Sequence, residues 1–206
     1  SNELKRLLKE VSFDQKVGAS YPVVLASIID AFLKRGNVFK SIVTQRDLMR
    51  LVSLTTERDV FIGHYETKLF NRLATRSTIG RIKEKEFLNG LAAIVNFENL
   101  SIASDILEQS EEHVEAIATN FSYVMFKKSY IRTIPKEISM TCPPEYINYA
   151  KQLSDIFSKR WIERSIEWRN TLATCETRLK TARGVSNITM SLSQVVIILS
   201  ILNNDN

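Results

Sequence analysis

The chain has 206 residues, of which 44% are hydrophobic and 25% are charged, and this balance excludes an intrinsically disordered protein. The length allows one sizeable core or two small ones, so we expect one or two soluble domains. The net charge of +5 favours acidic partners. Direct nucleic-acid binding is not expected, because the sequence has no arginine and aromatic cluster typical of a nucleic-acid-binding module.

The first 120 residues are predicted to form an antiparallel helical bundle. Apolar residues recur at helical spacing in residues 3–11 and 23–33, and a shorter apolar segment covers residues 47–54. Pro22 stands at a position where a helix can begin. Short connections between amphipathic helices are typical of antiparallel neighbours in a bundle.

The clearest helical stripe follows Asp59, which we expect to cap its helix. Four apolar residues recur every four positions along one face: Phe61, Tyr65, Leu69 and Leu73. Ser77 is expected to cap a further helix, and another follows Phe97. The residues available for burial in these two helices are Ile79, Ile82, Leu88, Leu91 and Val95, then Leu100, Ala103, Leu107, Val114 and Ile117.

The pattern changes after residue 120, where a small mixed α/β unit covering residues 121–206 is predicted. Pro135, Pro143 and Pro144 interrupt the chain, and residues 145–161 then return to helical spacing through Ile147, Ala150, Leu153, Phe157 and Trp161. The predicted fold class is therefore mainly α, with a helical bundle over residues 1–120 followed by the α/β unit.

A hairpin and a helix are predicted within this unit. Residues 187–193 alternate apolar and polar side chains, which is typical of a strand with one buried face. The threonine-rich residues 168–180 are expected to pair with them around a connection at 181–186. Residues 194–202 are apolar on every side but too short to cross a bilayer, which needs roughly 20 residues. We therefore expect a core helix behind the hairpin.

The sequence offers no pattern typical of catalysis. His64 and His113 are the only histidines and have no companion ligands at metal-site spacing, and neither a glycine-rich phosphate loop nor a nucleophile elbow is present. The acidic run Glu108, Glu111, Glu112 and Glu115 is typical of a solvated helix face. Cys142 and Cys175 could form at most one disulfide, and we expect instead a pair of reduced intracellular thiols. We expect no catalytic residue, no cofactor and no metal.

Several segments resemble the cullin family. Residues 59–73, DVFIGHYETKLFNRL, resemble the family's D-V-F-x-x-x-Y-x-x-x-L-x-x-R-L, and residues 164–172, RSIEWRNTL, resemble R-K-L-x-W-x-x-x-L. Residues 187–203 resemble E-L-x-V-S-x-x-Q-x-x-I-L-L-L-F-N. The matching residues in these three blocks are Asp59, Val60, Phe61, Tyr65, Leu69, Arg72 and Leu73; Arg164, Ile166, Trp168 and Leu172; and Ile188, Ser191, Gln194, Ile197, Ile198, Leu199 and Asn203.

A shorter segment also fits, since Pro143, Pro144 and Glu145 resemble the family's L-P-P-E. The family's Glu-Cys-Gly is replaced by residues 92–96, and its Trp-Pro is absent near residues 130–135. The chain therefore resembles a divergent member, similar to the cullin-like subunit of the anaphase-promoting complex or to some fungal cullins. The opening residues also suggest a piece cut from a longer chain.

The resemblance implies a non-catalytic scaffold of a multisubunit cullin-RING-type E3 ubiquitin ligase in the nucleus and cytoplasm. Such a scaffold holds a RING-type protein that recruits the ubiquitin-conjugating enzyme, and it binds a substrate receptor or adaptor through regions not in this chain. No membrane association is expected. A helical protein-interaction adaptor unrelated to ubiquitin is the alternative.

An open sheet edge can accept a strand from such a partner. The predicted RING-binding residues are Trp168, Leu172, Thr174, Glu176, Arg178, Lys180, Ile188 and Met190. For Trp168, packing in the core is an alternative to direct contact, and for the four polar residues plain solvent exposure is the alternative. Six basic residues are expected to steer an acidic partner: Lys127, Lys128, Lys159, Arg160, Arg164 and Arg169.

Overall fold

The computed structural model describes residues 20–34, 43–112, 116–118, 121–130, 136–181 and 184–204. Within these ranges the chain forms seven α-helices and two antiparallel pairs of strands, which confirms the predicted mainly-α fold with a small α/β unit. The chain divides into two compact units. The first contains Ser1–His113 and Val124–Thr133, and the second contains Val114–Tyr123 and Ile134–Asn206.

The first unit is the helical bundle. Its α-helices are α1 (Tyr21–Leu33), α2 (Gln45–Ser53), α3 (Arg58–Ala74), α4 (Arg81–Ala92) and α5 (Ser101–Glu112), with a short 3-10 turn over Phe97–Leu100 before α5. Pro22 lies in the first turn of α1, as predicted. The helix predicted over residues 3–11 lies outside the described residues.

The predicted stripe of α3 forms the centre of this bundle. Phe61, Tyr65, Leu69 and Leu73 are all buried, which confirms the four-residue periodicity as a core pattern. The core residues predicted for the next two helices are mostly buried as well, in or directly beside α4 and α5: Leu88, Leu91 and Val95, then Leu100, Ala103 and Leu107. Ile82 is an exception, since 76% of its surface is exposed. Val114 lies outside the described residues.

Two predicted helix caps are wrong. The residue before α3 is Glu57, whose carbonyl oxygen accepts a hydrogen bond from the N–H of Phe61, so Asp59 lies inside the first turn. Ser77 does not cap α4, because the chain first runs along the end of α1, where the N–H of Ile79 donates to the carbonyl of Leu33. Gly80, with φ of 144°, then turns the chain into α4.

A buried cluster of charges joins three helices of the bundle. The fully buried guanidinium of Arg72 in α3 donates two hydrogen bonds of 2.8 Å to the carboxylate of Glu84 in α4. It donates a third, of 3.0 Å, to Asp30 in α1. Thr78 donates to the same Glu84 carboxylate. Burial lowers the pKa of Arg72, but hydrogen bonds and the charge of Glu84 outweigh it, so Arg72 stays charged.

The second unit begins with a short pair of strands, β1 (Ala116–Ala118) and β2 (Phe121–Ser122). Ile117, predicted as a helical core residue, therefore lies in a strand. Helix α6 (Pro144–Arg160) follows, and among its predicted core residues Leu153 and Phe157 are buried whereas Ile147 is exposed. A 3-10 turn over Asn170–Leu172 then leads into the hairpin.

The hairpin consists of β3 (Thr174–Thr181) and β4 (Gly184–Ser191), and α7 (Leu192–Asn204) follows directly. Its register runs from Thr174 opposite Ser191 to Thr181 opposite Gly184, which confirms a hairpin but leaves only two residues in the connection. The first strand starts later than the predicted residue 168, because the chain makes the 3-10 turn before it becomes extended.

Candidate protein-interaction site

The two faces of the hairpin follow from its register and from the alternation of side chains along a strand. We call one the apolar face, which contains Cys175, Thr177 and Leu179 of β3 and Ser186, Ile188 and Met190 of β4. We call the other the polar face, which contains Thr174, Glu176, Arg178 and Lys180 of β3 and Val185, Asn187, Thr189 and Ser191 of β4.

Neither face is buried. The predicted buried face of β4 is wrong, since Ile188 is 37% exposed and Met190 is half-buried. Leu179, across the hairpin on the same face, is 39% exposed. The reason is that, among the described elements, α7 makes only a small contact with these strands, at the end far from the connection, and no other element makes a larger one.

Helix α7 also differs from its prediction as a core helix. Leu192, its first residue, is buried, but Ile197 is 59% exposed and Ile201 is 55% exposed. Leu199 and Leu202 are exposed too. The inference that so apolar a helix must be covered on every side is therefore wrong for this chain alone. Together with the hairpin, α7 presents an apolar surface to the surroundings.

Two predicted binding residues lie before the hairpin. The indole N–H of Trp168 donates a 3.0 Å hydrogen bond to the Ser154 hydroxyl in α6, and its ring packs edge-on against Phe121 of β2. Leu172 is half-buried in the 3-10 turn. The structure therefore brings six of the eight predicted residues together on the hairpin, while Trp168 packs within the second unit.

The chain is anchored immediately before β3 by Glu137, a residue that sequence reasoning missed. Its carboxylate accepts hydrogen bonds from the N–H of Asn170 at 3.0 Å and from the hydroxyl of Thr171 at 3.1 Å. The hydroxyl of Tyr146 donates to the side chain of Asn170. Burial, together with the nearby negative charges, raises the pKa of Tyr146 to about 12, so its hydroxyl stays a donor at neutral pH. These contacts fix where the hairpin starts.

The junction between β4 and α7 is held by a capping box. The N–H of Ser191 donates to the Gln194 side-chain oxygen at 2.9 Å, and the N–H of Gln194 donates to the Ser191 hydroxyl at 3.3 Å. The S-x-x-Q spacing in the sequence is a recognised signal for this arrangement. The spacing of these two residues therefore has a structural reason in this chain.

The histidines and cysteines of the described residues are not gathered into a metal site. No group of three His, Cys, Asp or Glu side chains lies close enough to hold a metal in the part of the chain that the structure describes. His64 is exposed on α3, and His113 lies outside the described residues. Cys142 and Cys175 are free, and burial raises the pKa of both thiols, which makes them poor nucleophiles.

The predicted basic residues of the second unit are mostly exposed. Lys159, Arg160 and Arg164 lie at or just beyond the end of α6, and the Arg160 guanidinium lies 4.7 Å from the centre of the Trp161 ring. Arg169 is instead paired with Glu167. Lys127 and Lys128 are exposed in the first unit. Among the described helices, none is both long and apolar enough to span a membrane.

The sequence matches no model of a protein family, and a search of the curated proteins finds no significantly similar sequence. The site is therefore defined by its geometry: an exposed hairpin followed by an exposed apolar helix, both typical of a surface that binds another protein.

Proposed function

We propose that the chain is a non-catalytic scaffold subunit of a multisubunit E3 ubiquitin ligase. In this proposal the hairpin of β3 and β4 holds a RING-type protein, which recruits the ubiquitin-conjugating enzyme. The observation that carries the proposal is the sheet of β3 and β4, which has only two strands in the described residues and therefore two open edges. The resemblance of several segments to cullin motifs is the reason for proposing a RING-type protein as the partner.

The geometry suits the addition of a strand. A two-stranded hairpin is marginally stable in water, and a third strand with an apolar face gives it much more stability. Main-chain hydrogen bonds supply the affinity in such a complex, and alternate side chains supply the specificity. The half-exposed Ile188 and Leu179 would be covered further by a neighbouring strand. A RING partner with an extended segment would complete the sheet.

The motif residues also have roles that suit a scaffold. Phe61, Tyr65 and Leu69 form the core of the bundle, and Arg72 ties three of its helices together. The burial of these apolar side chains and the pairing of Arg72 with two carboxylates favour a rigid bundle. A rigid support is what a subunit needs in order to hold a recruited enzyme at a defined place.

The test is co-purification of the chain with RING-type subunits, with variants that change only the hairpin. Thr174→Pro and Glu176→Pro should each abolish binding, because proline has no N–H to donate to an added strand. Glu176→Ala keeps the main chain and should bind almost normally. Circular dichroism should show that the helical bundle is unchanged in all three variants.

Hydrogen exchange gives a direct measurement in the same complex. Amides of β3 or β4 should become protected when the RING subunit is added, since they would then donate to the new strand. Unchanged protection throughout both strands in a saturated complex would refute strand addition. If no RING subunit binds the wild-type chain, the ligase-scaffold proposal itself fails.

Helix α7 favours a second candidate, the helical interaction adaptor unrelated to ubiquitin. Its exposed apolar residues, among them Ile197 and Ile201, could bind a partner of any class. Ile197→Ser with Ile201→Ser should leave RING binding intact if the hairpin is the site. Loss of another partner in these variants, with no RING protein bound by the wild type, would favour the adaptor.

A further inference from the structure

The directions of the main-chain groups of β3 follow from one backbone hydrogen bond at its start and from the register of the hairpin. The carbonyl of Ala173, directly before β3, accepts a hydrogen bond from the N–H of Leu192, directly after β4. In an antiparallel pair, residues alternate between facing the partner strand and facing away from it. The main-chain groups of Ala173, and by alternation those of Thr177, therefore face β4. The even-numbered residues of β3 face away from it.

The outer edge of β3 thus consists of four residues whose N–H and C=O groups point away from β4. These residues are Thr174, Glu176, Arg178 and Lys180. Among the described residues no other strand pairs with this edge. Because main-chain direction and side-chain face alternate together, the same four side chains lie on the exposed polar face.

The outer edge of β4 offers less. By the same alternation its outward-facing residues are Val185, Asn187, Thr189 and Ser191. The N–H of Ser191 already donates to Gln194 in the capping box, so this edge is closed where α7 begins. None of these four side chains is charged, which leaves the edge without an electrostatic preference for a partner.

We propose that an added strand pairs with the outer edge of β3 and not with that of β4. We further infer that this strand carries acidic side chains opposite Arg178 and Lys180, with apolar side chains at the alternate positions beside Thr177 and Leu179. Acidic side chains are expected opposite Arg178 and Lys180 because opposite charges on neighbouring strands stabilise the pairing and like charges destabilise it. The inference rests on the proposed function in one respect: the donor of the strand is the RING protein's extended segment.

A second copy of the chain is a weaker candidate for this edge. Two antiparallel copies of β3 centred on Thr177 would place Glu176 opposite Arg178 of the other copy. Lys180 would then face Thr174 and remain unmatched. Charged side chains on an edge strand also discourage pairing between like edges. An acidic segment satisfies both cations and is the better match.

The first experiment compares two proline variants at directly paired positions. Arg178 and Asn187 lie opposite each other, and the N–H of each points outward, so proline at either position removes no hydrogen bond of the hairpin. Arg178→Pro should weaken binding of the RING subunit at least about tenfold, whereas Asn187→Pro should bind like the wild type. Arg178→Ala removes the charge but keeps the N–H. Comparing it with Arg178→Pro therefore shows how much binding is lost through the main-chain hydrogen bond alone.

A fold control accompanies each variant. The amides of Thr177 and Ile188 face into the hairpin, so their hydrogen exchange reports whether it remains formed. Leu179→Pro serves as the contrasting variant, because it removes an inward N–H and should open the hairpin itself. Retained protection in Arg178→Pro together with lost RING binding supports the β3 edge. Loss of binding in Asn187→Pro alone would overturn the assignment.

The second experiment does not need the RING protein. A synthetic peptide in which glutamate alternates with valine should bind the chain roughly tenfold more tightly than one in which lysine alternates with valine. Arg178→Glu with Lys180→Glu should reverse the preference. Binding is measured by fluorescence anisotropy, and hydrogen exchange should show protection of the amides of Glu176, Arg178 and Lys180. Equal affinity for the two peptides would overturn the charge match.

The outcomes separate this inference from the proposed function. If no RING subunit binds but the glutamate peptide binds at β3, the edge assignment holds and the ligase proposal fails. If a RING subunit binds and neither proline variant weakens it, the edge assignment fails and the scaffold role stands. If light scattering shows a dimer of the chain that Arg178→Pro converts to monomer, the edge belongs to a second copy and the inference is overturned.

Discussion

The two units of the chain distribute polar and apolar side chains in opposite ways. The bundle buries charges, with Arg72 and Glu84 fully enclosed and Asp30 nearly so. The second unit exposes apolar side chains, including Ile188 on the hairpin and Ile197 and Ile201 on α7. Among the described apolar residues of this unit, burial is limited to Cys142, Leu153, Phe157 and Leu192.

This difference indicates which unit is complete by itself. Buried charges persist only where each has a partner, and the bundle supplies all of Arg72's partners from its own helices. Exposed apolar side chains concentrated on neighbouring elements are typical of a surface that is covered in a complex. This difference supports the proposed function, in which the bundle is the support and the second unit binds the partner.

The strongest test of this comparison removes the buried cation. Arg72→Met leaves the buried carboxylate of Glu84 without a counter-charge and leaves Asp30 with only its pair to Lys34, so it should cost about 3 to 5 kcal/mol of unfolding free energy. Urea denaturation followed by circular dichroism measures the loss. Lys83→Met, which breaks an exposed pair with Glu86, should cost less than about 1 kcal/mol. Equal losses would mean that the Arg72 cluster is not enclosed.

A second test concerns the apolar core of the bundle. Leu69→Ala removes a fully buried side chain and should cost about 2 to 5 kcal/mol, because burial is lost and a cavity remains. Ile82→Ala, on the neighbouring helix α4, should change stability by less than about 0.5 kcal/mol, since Ile82 is exposed. Chemical denaturation of both variants decides the point. A loss below about 0.5 kcal/mol for Leu69→Ala would place this residue on the surface and contradict the bundle.

The third test compares two positions in α7. Ile197→Ala should change the unfolding free energy by no more than about 0.5 kcal/mol, because the side chain is exposed. Leu192→Ala, at the buried start of the same helix, should cost about 2 to 5 kcal/mol. If the two variants lose equal stability, α7 is a core helix, as its sequence predicted, and the exposed surface does not exist.

The smallest effect on stability is expected from the basic end of α6. Reversing Lys159 and Arg160 to glutamate should slow association with the RING subunit at low ionic strength, because surface charges act mainly on encounter and are screened by salt. The melting temperature should hardly change, since both side chains are exposed. Stopped-flow measurements at two salt concentrations test this. Equal association rates at low salt would leave these residues as an ordinary solvated face.

The sequence predicted the local features of the fold well. The stripe from Phe61 to Leu73 and the alternation around Ile188 reflect the periods of a helix and a strand, which neighbouring residues determine by themselves. The capping box of Ser191 and Gln194 was equally local and could have been found from its spacing. Helix starts were less predictable. Serine is a favourable helix-capping residue, but Ser77 does not cap α4 because the chain first pairs with α1 through the hydrogen bond from Ile79 to Leu33.

Features that depend on distant residues could not be predicted. The partners of Arg72 lie 12 and 42 residues away along the chain, and no periodicity connects them. The apolar composition of α7 indicates only that the helix needs a cover, and it does not reveal whether the cover belongs to the same chain. The same uncertainty applied to Trp168, whose hydrogen bond to Ser154 comes from tertiary packing.

The Arg72 cluster also has a consequence for how the bundle folds and how it can be divided. Its three members come from three helices, so a folding intermediate that encloses Arg72 before α1 has docked would leave one guanidinium N–H buried without its acceptor, Asp30. We therefore expect α1, α3 and α4 to become ordered in one cooperative step. A fragment that begins after Leu33 lacks Asp30 and exposes the side of α3 against which α1 packs. Such a fragment should refold poorly, and the useful amino-terminal limit for an isolated bundle lies before Tyr21.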